Sequence, residues 1–305
     1  MKTAASASRA ERAKHAAKGN LPAAPRRPAR AKQAASWLAH IVLVLGIGFV
    51  IGPFVYMILT SITTDNFSLP SPQKLLHSEK TLVNYVEAWN KNNFSNYFVN
   101  SLFVSSATMI LSLSLACSTA YAFARFPFPG KEFLFKLFLF SMFVPAILNI
   151  IPQFTIVKTL GLVDTYSGLI LVYISTGVVG STFFLRGFFE RIPTELEESI
   201  VIDGGNRWTI FRAIYIPLSL PAIGTLGIFA FSGTWDEFIL ALTLIKTEAQ
   251  RTLPIALQLF RGQYATYYGL FFAASMMALM PIIAIFVIFQ KQFVNPSLSE
   301  GSVKG

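Results

Sequence analysis

Three groupings of residues in this 305-residue chain have the types and spacing to hold a ligand or a partner. Trp235, Asp236 and Glu237 place an aromatic ring beside two carboxylates, a set that suits a sugar; an interfacial tryptophan with ordinary loop acids is the competing reading. Asn149 and Gln153 are four apart and share a helix face. Buried amides there either bond neighbouring helices or touch a hydroxyl-rich solute. The third grouping is EESIVIDGGNRWTIFRAIYIP, residues 197–217, where charges and a glycine pair interrupt apolar surroundings.

Other chemistry is missing from the sequence. Gly130 and Lys131 are adjacent, but no glycine lies five residues before them, so no phosphate-cradling loop is present. The chain is therefore expected to be no enzyme by itself and to bind no cofactor. Energy from ATP would have to come from a partner. His15, His40 and His77 lie far apart, without cysteine or carboxylate companions at ligand spacing, so no metal site is readable. The single Cys117 cannot form an internal disulfide and reads as a small buried residue. The spans defined below hold almost no ionisable residues in their middles, which argues against a proton-driven carrier.

The elements that must position these groups are membrane helices. Hydrophobic residues make up 53% of the chain and charged residues 13%, with a mean hydropathy of +0.55. A soluble domain carries roughly twice that share of charge. A bilayer core needs about 20 apolar helical residues per crossing. Six stretches qualify, at residues 37–62, 97–126, 131–156, 166–189, 210–235 and 268–293. The expected fold is thus an all-α integral membrane protein with six transmembrane helices over residues 37–295. Pro145 and Pro152 weaken the third stretch, and the freed carbonyls favour a bundle-facing position for it. The serines of the second stretch, from Ser101 to Ser118, suit close helix contact or a polar path.

The net charge of +10 is concentrated at one end. Residues 1–36 hold nine Lys/Arg and one acid, Glu11, with few large apolar residues, and read as a disordered tail. Such a tail keeps the N-terminus in the cytoplasm; no nucleic-acid partner is expected. An even number of crossings then places residues 296–305 in the cytoplasm too. The charges between Glu190 and Arg212 would cost on the order of 20 kcal/mol in hydrocarbon, so this segment lies outside the lipid, on the cytoplasmic side. Within it, Pro193 suits the first position of a short helix. Glu195, Glu197 and Glu198 favour that helix's first turn. Leu196 and Ile200 share a face. Gly204 and Gly205 end the helix, and a second helix climbs back into the membrane, kinked at Pro217 and Pro221.

The pattern of this segment resembles the cytoplasmic signature of inner-membrane subunits of binding-protein-dependent ABC importers: Glu-Ala-Ala, three residues, Gly, nine residues, Ile-x-Leu-Pro. The chain has Glu198, Ser199 and Ile200, then Gly204, then Ile214, Tyr215, Ile216 and Pro217 at that spacing. Ser199 and Ile200 replace the two alanines, and Asp203 precedes the glycine as is common in the sugar branch. The stretches LVNYVEAW, AYAFARFPFPGK, LGLVDTYSGLIL, FFERIPTELEES, FSGTWDEF, RTLPIALQLF and the closing GSVKG look like the carbohydrate branch. The likeness is greatest to the second permease subunit of maltose-type importers.

The resemblance implies that residues 190–217 hold a coupling helix, between the fourth and fifth spans, that docks on a cytoplasmic ATPase. Leu196, Glu198, Ser199, Ile200, Asp203, Gly204, Ile214 and Pro217 are its residues here. It implies a second, homologous permease subunit, two copies of the ATPase carrying ATP and Mg, and an extracytoplasmic solute-binding protein. The outer loop at 238–267 would reach toward that binding protein through Gln263, Tyr264 and Tyr267. A sugar or oligosaccharide is the implied solute. A non-sugar solute such as a glycerol phosphate ester, or a non-transport scaffold, stays open at this point.

Overall fold

The structure, a computed structural model, describes residues 29–64, 69–263 and 267–294. Among them every regular element is helical, apart from one isolated bridge between Thr63 and Lys80. By its internal contacts the chain forms two units, residues 1–56 and 57–305.

The first unit holds most of α1, Ala29–Ser61. This helix begins before the expected Trp37, because residues 29–36 read ARAKQAAS and are mostly strong helix formers. Of the disordered basic tail expected at residues 1–36, residues 1–28 lie outside the described residues, as does the tail at 296–305, while residues 29–36 are helical rather than disordered.

In the second unit, α2 (Pro72–His77) and α3 (Val83–Asn90) precede the long α4, Phe94–Arg125. The third apolar stretch is not one helix. It runs as residues 131–143, beginning with α5 (Lys131–Phe140), and then, after a 99° break, as residues 146–159, ending with α6 (Ile150–Thr159). The break falls at Val144 and Pro145. Pro152 sits in the first turn of α6, where its missing N–H interrupts nothing, so only one of the two prolines breaks the helix.

Helix α7 covers Tyr166–Phe189. Thr165 caps it, accepting from the N–H of Gly168 at 3.1 Å. The fifth stretch is also bent, by 74°, between residues 207–218 and α11, Leu220–Trp235. The loop expected at 238–267 contains two helices, α12 (Ile239–Leu244) and α13 (Leu253–Gln263). The last element is α14, Tyr268–Val294. Among the described residues, four helices are long and apolar enough to cross a membrane, or up to six if each bent pair counts as one span.

Helix α4 packs along α7. Ala116, Cys117 and Ala120 of α4 are buried with Val178, Val179 and Leu185 of α7. Small side chains allow that approach. Ser105, Thr108, Ser112 and Thr182 are also buried, whereas Ser114 and Ser118 of the serine-rich stretch are exposed. Cys117 is buried, as its neighbours suggested.

Candidate functional site

The charged segment forms three short pieces after α7. A turn through Ile192 leads to α8, Glu195–Ile202. Pro193 lies ahead of this helix rather than at its first position, and Thr194 flanks it without a side-chain cap. The end of α8 is a glycine-dependent turn. Gly204 has φ +79°, and its N–H donates to Val201 O at 3.0 Å, while the Gly205 N–H donates to Ile200 O at 2.8 Å. This is the paired-bond helix stop in which a left-handed glycine follows the last helical residues. Asn206 then caps α9 (Arg207–Ile210), its Oδ1 accepting from the N–H of Thr209 at 2.9 Å.

A single π turn, Phe211–Tyr215, follows, then α10 (Ile216–Leu218). Such turns insert one extra residue and rotate the side chains beyond it. Here Ile214 and Tyr215 both turn into the core, with Tyr121, Phe189 and Ile210. Pro217 lies exposed one turn before α11.

The structure separates residues that the sequence groups together. Leu196 is exposed, but Ile200 leans on the protein's own core and against Gly205. The shared outward face expected of Leu196 and Ile200 is therefore corrected. The outward apolar residues are Leu196, Val201, Ile202 (85% exposed) and Trp208 (65% exposed). Glu198, Ser199, Asp203 and Gly204 are exposed beside them. Val201, Ile202, Glu198, Asn206 and Arg207 line a groove of about 740 Å³.

Glu197 is 8% exposed, and sequence reasoning did not single it out. It pairs with Arg207 at 3.0 Å and Arg125 at 3.2 Å, and accepts from the hydroxyl of Tyr215. The signal was available: Glu197 and Ile200 are three apart, so the stripe that carries Ile200 inward carries this carboxylate with it.

At the 99° break, Asn149 and Gln153 line a pocket of about 440 Å³ with Ser141, Ser175, Thr176 and Met142. The three hydroxyls donate to carbonyls of their own helices, which leaves their oxygens free to accept. The Oε1 of Gln153 is buried without a hydrogen-bond partner among the described residues.

Trp235 and Glu237 have structural duties. The Trp235 ring stacks on Phe231 and meets Phe98 edge-on, and its Nε1–H donates to Ala278 O at 3.0 Å. Glu237 accepts from Tyr173 Oη at 2.7 Å and from the N–H groups of Leu240 and Ala241, anchoring α12 on α7. Asp236 is the freer acid; it lines a cavity of about 230 Å³ with Trp235, Leu257 and Ser275, and burial pushes its carboxyl above the ordinary value. Gln263 closes α13, Tyr264 lies outside the described residues, and Tyr267 is exposed ahead of α14.

The segment between α12 and α13 is tied down by Asp164, whose φ of +63° is left-handed, a region where aspartate is tolerated. Its carboxylate accepts from Lys246 N at 2.8 Å, Thr247 N at 2.9 Å and Thr247 Oγ1 at 2.5 Å. The Thr247 hydroxyl, followed by the two backbone N–H groups, holds the Asp164 carboxyl below its ordinary 3.8. A folded-state value below the unfolded one means that the tie is complete above the unfolded value and lost as pH falls through the folded one. Asp164→Ala is expected to lower the exchange protection of the Lys246 and Thr247 amides at neutral pH, a loss of protection the unaltered protein shows only as pH falls through the depressed folded value of that carboxyl. Equal exchange in the two proteins would count against the tie.

A chain of long apolar helices with one charged segment between two of them has the make-up of a multi-pass membrane protein. The chain belongs to the family of binding-protein-dependent transport system inner membrane components, whose sequence pattern matches residues 109–296. It is 30% identical to the diacetylchitobiose uptake system permease protein NgcG of Streptomyces coelicolor, over 88% of each chain. It is 33% identical to the trehalose transport system permease protein SugB of Mycobacterium tuberculosis, over 90% of this chain and 99% of that one. A crystal structure of a bacterial ABC transporter that imports the acidic polysaccharide alginate shares the fold, with a TM-score of 0.74 and 21% identity over 87% of this chain and 99% of that one.

Proposed function

We propose that the chain is the permease subunit of an ABC importer for an uncharged sugar or oligosaccharide. It crosses the membrane six times, with both termini cytoplasmic and each bent pair counting as one span. It pairs with a second, homologous permease subunit. Two cytoplasmic ATPase subunits carry ATP and Mg, and an extracytoplasmic solute-binding protein delivers the cargo, in contact with Gln263, Tyr264 and Tyr267. The observation that carries this reading is the exposed ridge of Val201 and Ile202 beside Glu198, along the groove these residues line with Arg207. An apolar ridge flanked by charge, outside the lipid, suits a protein partner with a charged-edged apolar cleft. Gly204 supports the reading, because the tight turn it permits sets the direction in which α8 meets the helices that follow.

Two named relatives carry sugars in their titles. The pocket at Asn149 and Gln153 supports the same solute class: its lining offers amides and hydroxyl oxygens and has no charged side chain. A sugar's hydroxyls both donate and accept, whereas a phosphate ester would leave its charge unpaired there. Asp236 faces a separate cavity and offers no cation either. The reading is tested by purifying the subunit from its host membrane and measuring ATP hydrolysis in proteoliposomes. Co-purification of an ATPase, with hydrolysis raised by sugar-loaded binding protein, is the expected result; a subunit that retains no ATPase would overturn it.

The solute path has its own test. Replacing Asn149 and Gln153 together with leucine is expected to slow uptake at limiting solute by roughly thirtyfold, since each of two lost hydrogen bonds to a buried solute is worth about 1 kcal/mol. The melting temperature should hold or rise, because Gln153 Oε1 has no partner among the described residues to lose. A fall in melting temperature without slower uptake would return both amides to a packing role.

A further inference from the structure

We propose that Glu197, one position before the exposed Glu198, is the positioning residue that makes α8 and the membrane helices move as one piece. The proposal rests on the reading of α8 as the ATPase-coupling element.

Glu197 lies on a helix outside the apolar spans and is nonetheless buried. Its three partners come from three other elements. Arg125, the last residue of α4, places Nε 3.2 Å from Oε1. Arg207, the first residue of α9, places Nη1 3.0 Å from Oε2. Tyr215, the last residue of the π turn, donates its hydroxyl to Oε1. Arg125 reaches further: its Nη2 donates to the carbonyls of Phe189, at 2.9 Å, and of Ile192, at the end of α7. Tyr121 of α4 donates to the carbonyl of Arg207 at 3.3 Å. One carboxylate thereby joins α4, α7, α8, α9 and the run into α11.

The geometry points to positioning rather than to added stability. A buried ion pair adds little net stability over packed apolar groups of the same size, but it fixes where its members sit. Helix α8 has only eight residues, too few to hold itself together. Its far end is a glycine turn. Without the joint at Glu197, a push on the exposed ridge would fold α8 about Gly204 instead of moving α4 and α11. The two adjacent acids therefore divide the task. The Glu198 side chain makes no ion pair or hydrogen bond among the described residues and is exposed; the Glu197 side chain is buried against the bundle.

The test uses the whole transporter in proteoliposomes, with uptake and ATP hydrolysis measured together and ATPase retention scored on purification. Glu197→Gln is expected to keep the ATPase bound but to cut uptake per ATP by about tenfold, the scale of an ordinary coupling energy. If that variant folds poorly, Glu197→Gln with Arg125→Met removes both buried charges and relieves the unpaired one. The pair should melt near the unaltered temperature and still show the low ratio, which a merely structural role would not produce. Glu198→Gln should instead weaken ATPase retention. Normal uptake per ATP in the double variant, with Glu198→Gln still shedding the ATPase, overturns this proposal alone. Normal retention and normal coupling in both the Glu197 and Glu198 variants overturn the coupling reading and this proposal with it.

Discussion

Valine at Gly204 or Gly205 is expected to abolish coupled transport, either by shedding the ATPase or by leaving ATP hydrolysis without uptake. The two positions fail for different reasons. Gly204 has open space around its Cα but a φ of +79°. A left-handed residue costs roughly 1–2 kcal/mol for an ordinary side chain, and a β-branched one fits that region worst. Gly205 has an ordinary φ, but a Cβ there would sit 2.4 Å from Ile200 Cγ2 and 2.9 Å from Ile200 O. Neither atom is the tip of a flexible chain, so α8 would have to shift. Asparagine at Gly204, which tolerates the left-handed region, should restore most of the function. At Gly205 asparagine should not, because the clash is with Cβ itself. Uptake per ATP and ATPase retention measure this directly; normal values in both valine variants would remove the turn from the coupling mechanism.

Trp235→Ala is expected to destabilise the folded subunit by about 3–5 kcal/mol, the usual penalty for emptying a large buried aromatic site. The side chain is 2% exposed, lies between Phe98 and Phe231, and holds the carbonyl of Ala278. Trp235→Phe should be milder, keeping ring contact but leaving that carbonyl unpaired. A sugar-stacking role makes a different prediction: the alanine variant would keep its melting temperature and bind or carry solute poorly. Thermal unfolding of the purified complex, measured alongside uptake, separates the two. The covered faces of the ring favour the stability outcome.

What the sequence makes legible here depends on range. The apolar stretches, the stop at Gly204, the kink near Pro217 and the buried Cys117 are local matters of composition and spacing, and the structure has each of them. The 99° break is partly legible: Pro145 marks it, but Pro152 looks equally disruptive until its place in the first turn of α6 is known. Helices α12 and α13 are hidden because a 30-residue outer connection reads as loop; Glu237 and Asp164 hold them by contacts with α7 and between loops. Glu197 is hidden for the same reason. Its partners Arg125 and Tyr215 are far away in sequence, and only the fold brings them together. The signature drew attention to Glu198, while the better-connected carboxylate stood beside it.

The corner at Ser219 has a mechanical consequence. Helix α11 has 16 residues beyond that 74° bend, giving a rod roughly 24 Å long. Ser219 is fully buried, its N–H donating to Tyr215 O at 3.2 Å and its carbonyl accepting from the N–H of Ile223 at 2.8 Å, so the corner is a fixed pivot. A rotation of about 10° there swings the far end of the rod by about 4 Å, simple trigonometry on that length. Trp235, at the tip of the lever, sits against α14, so a tilt applied at the Ser219 end is felt at the Trp235 end as a sideways displacement.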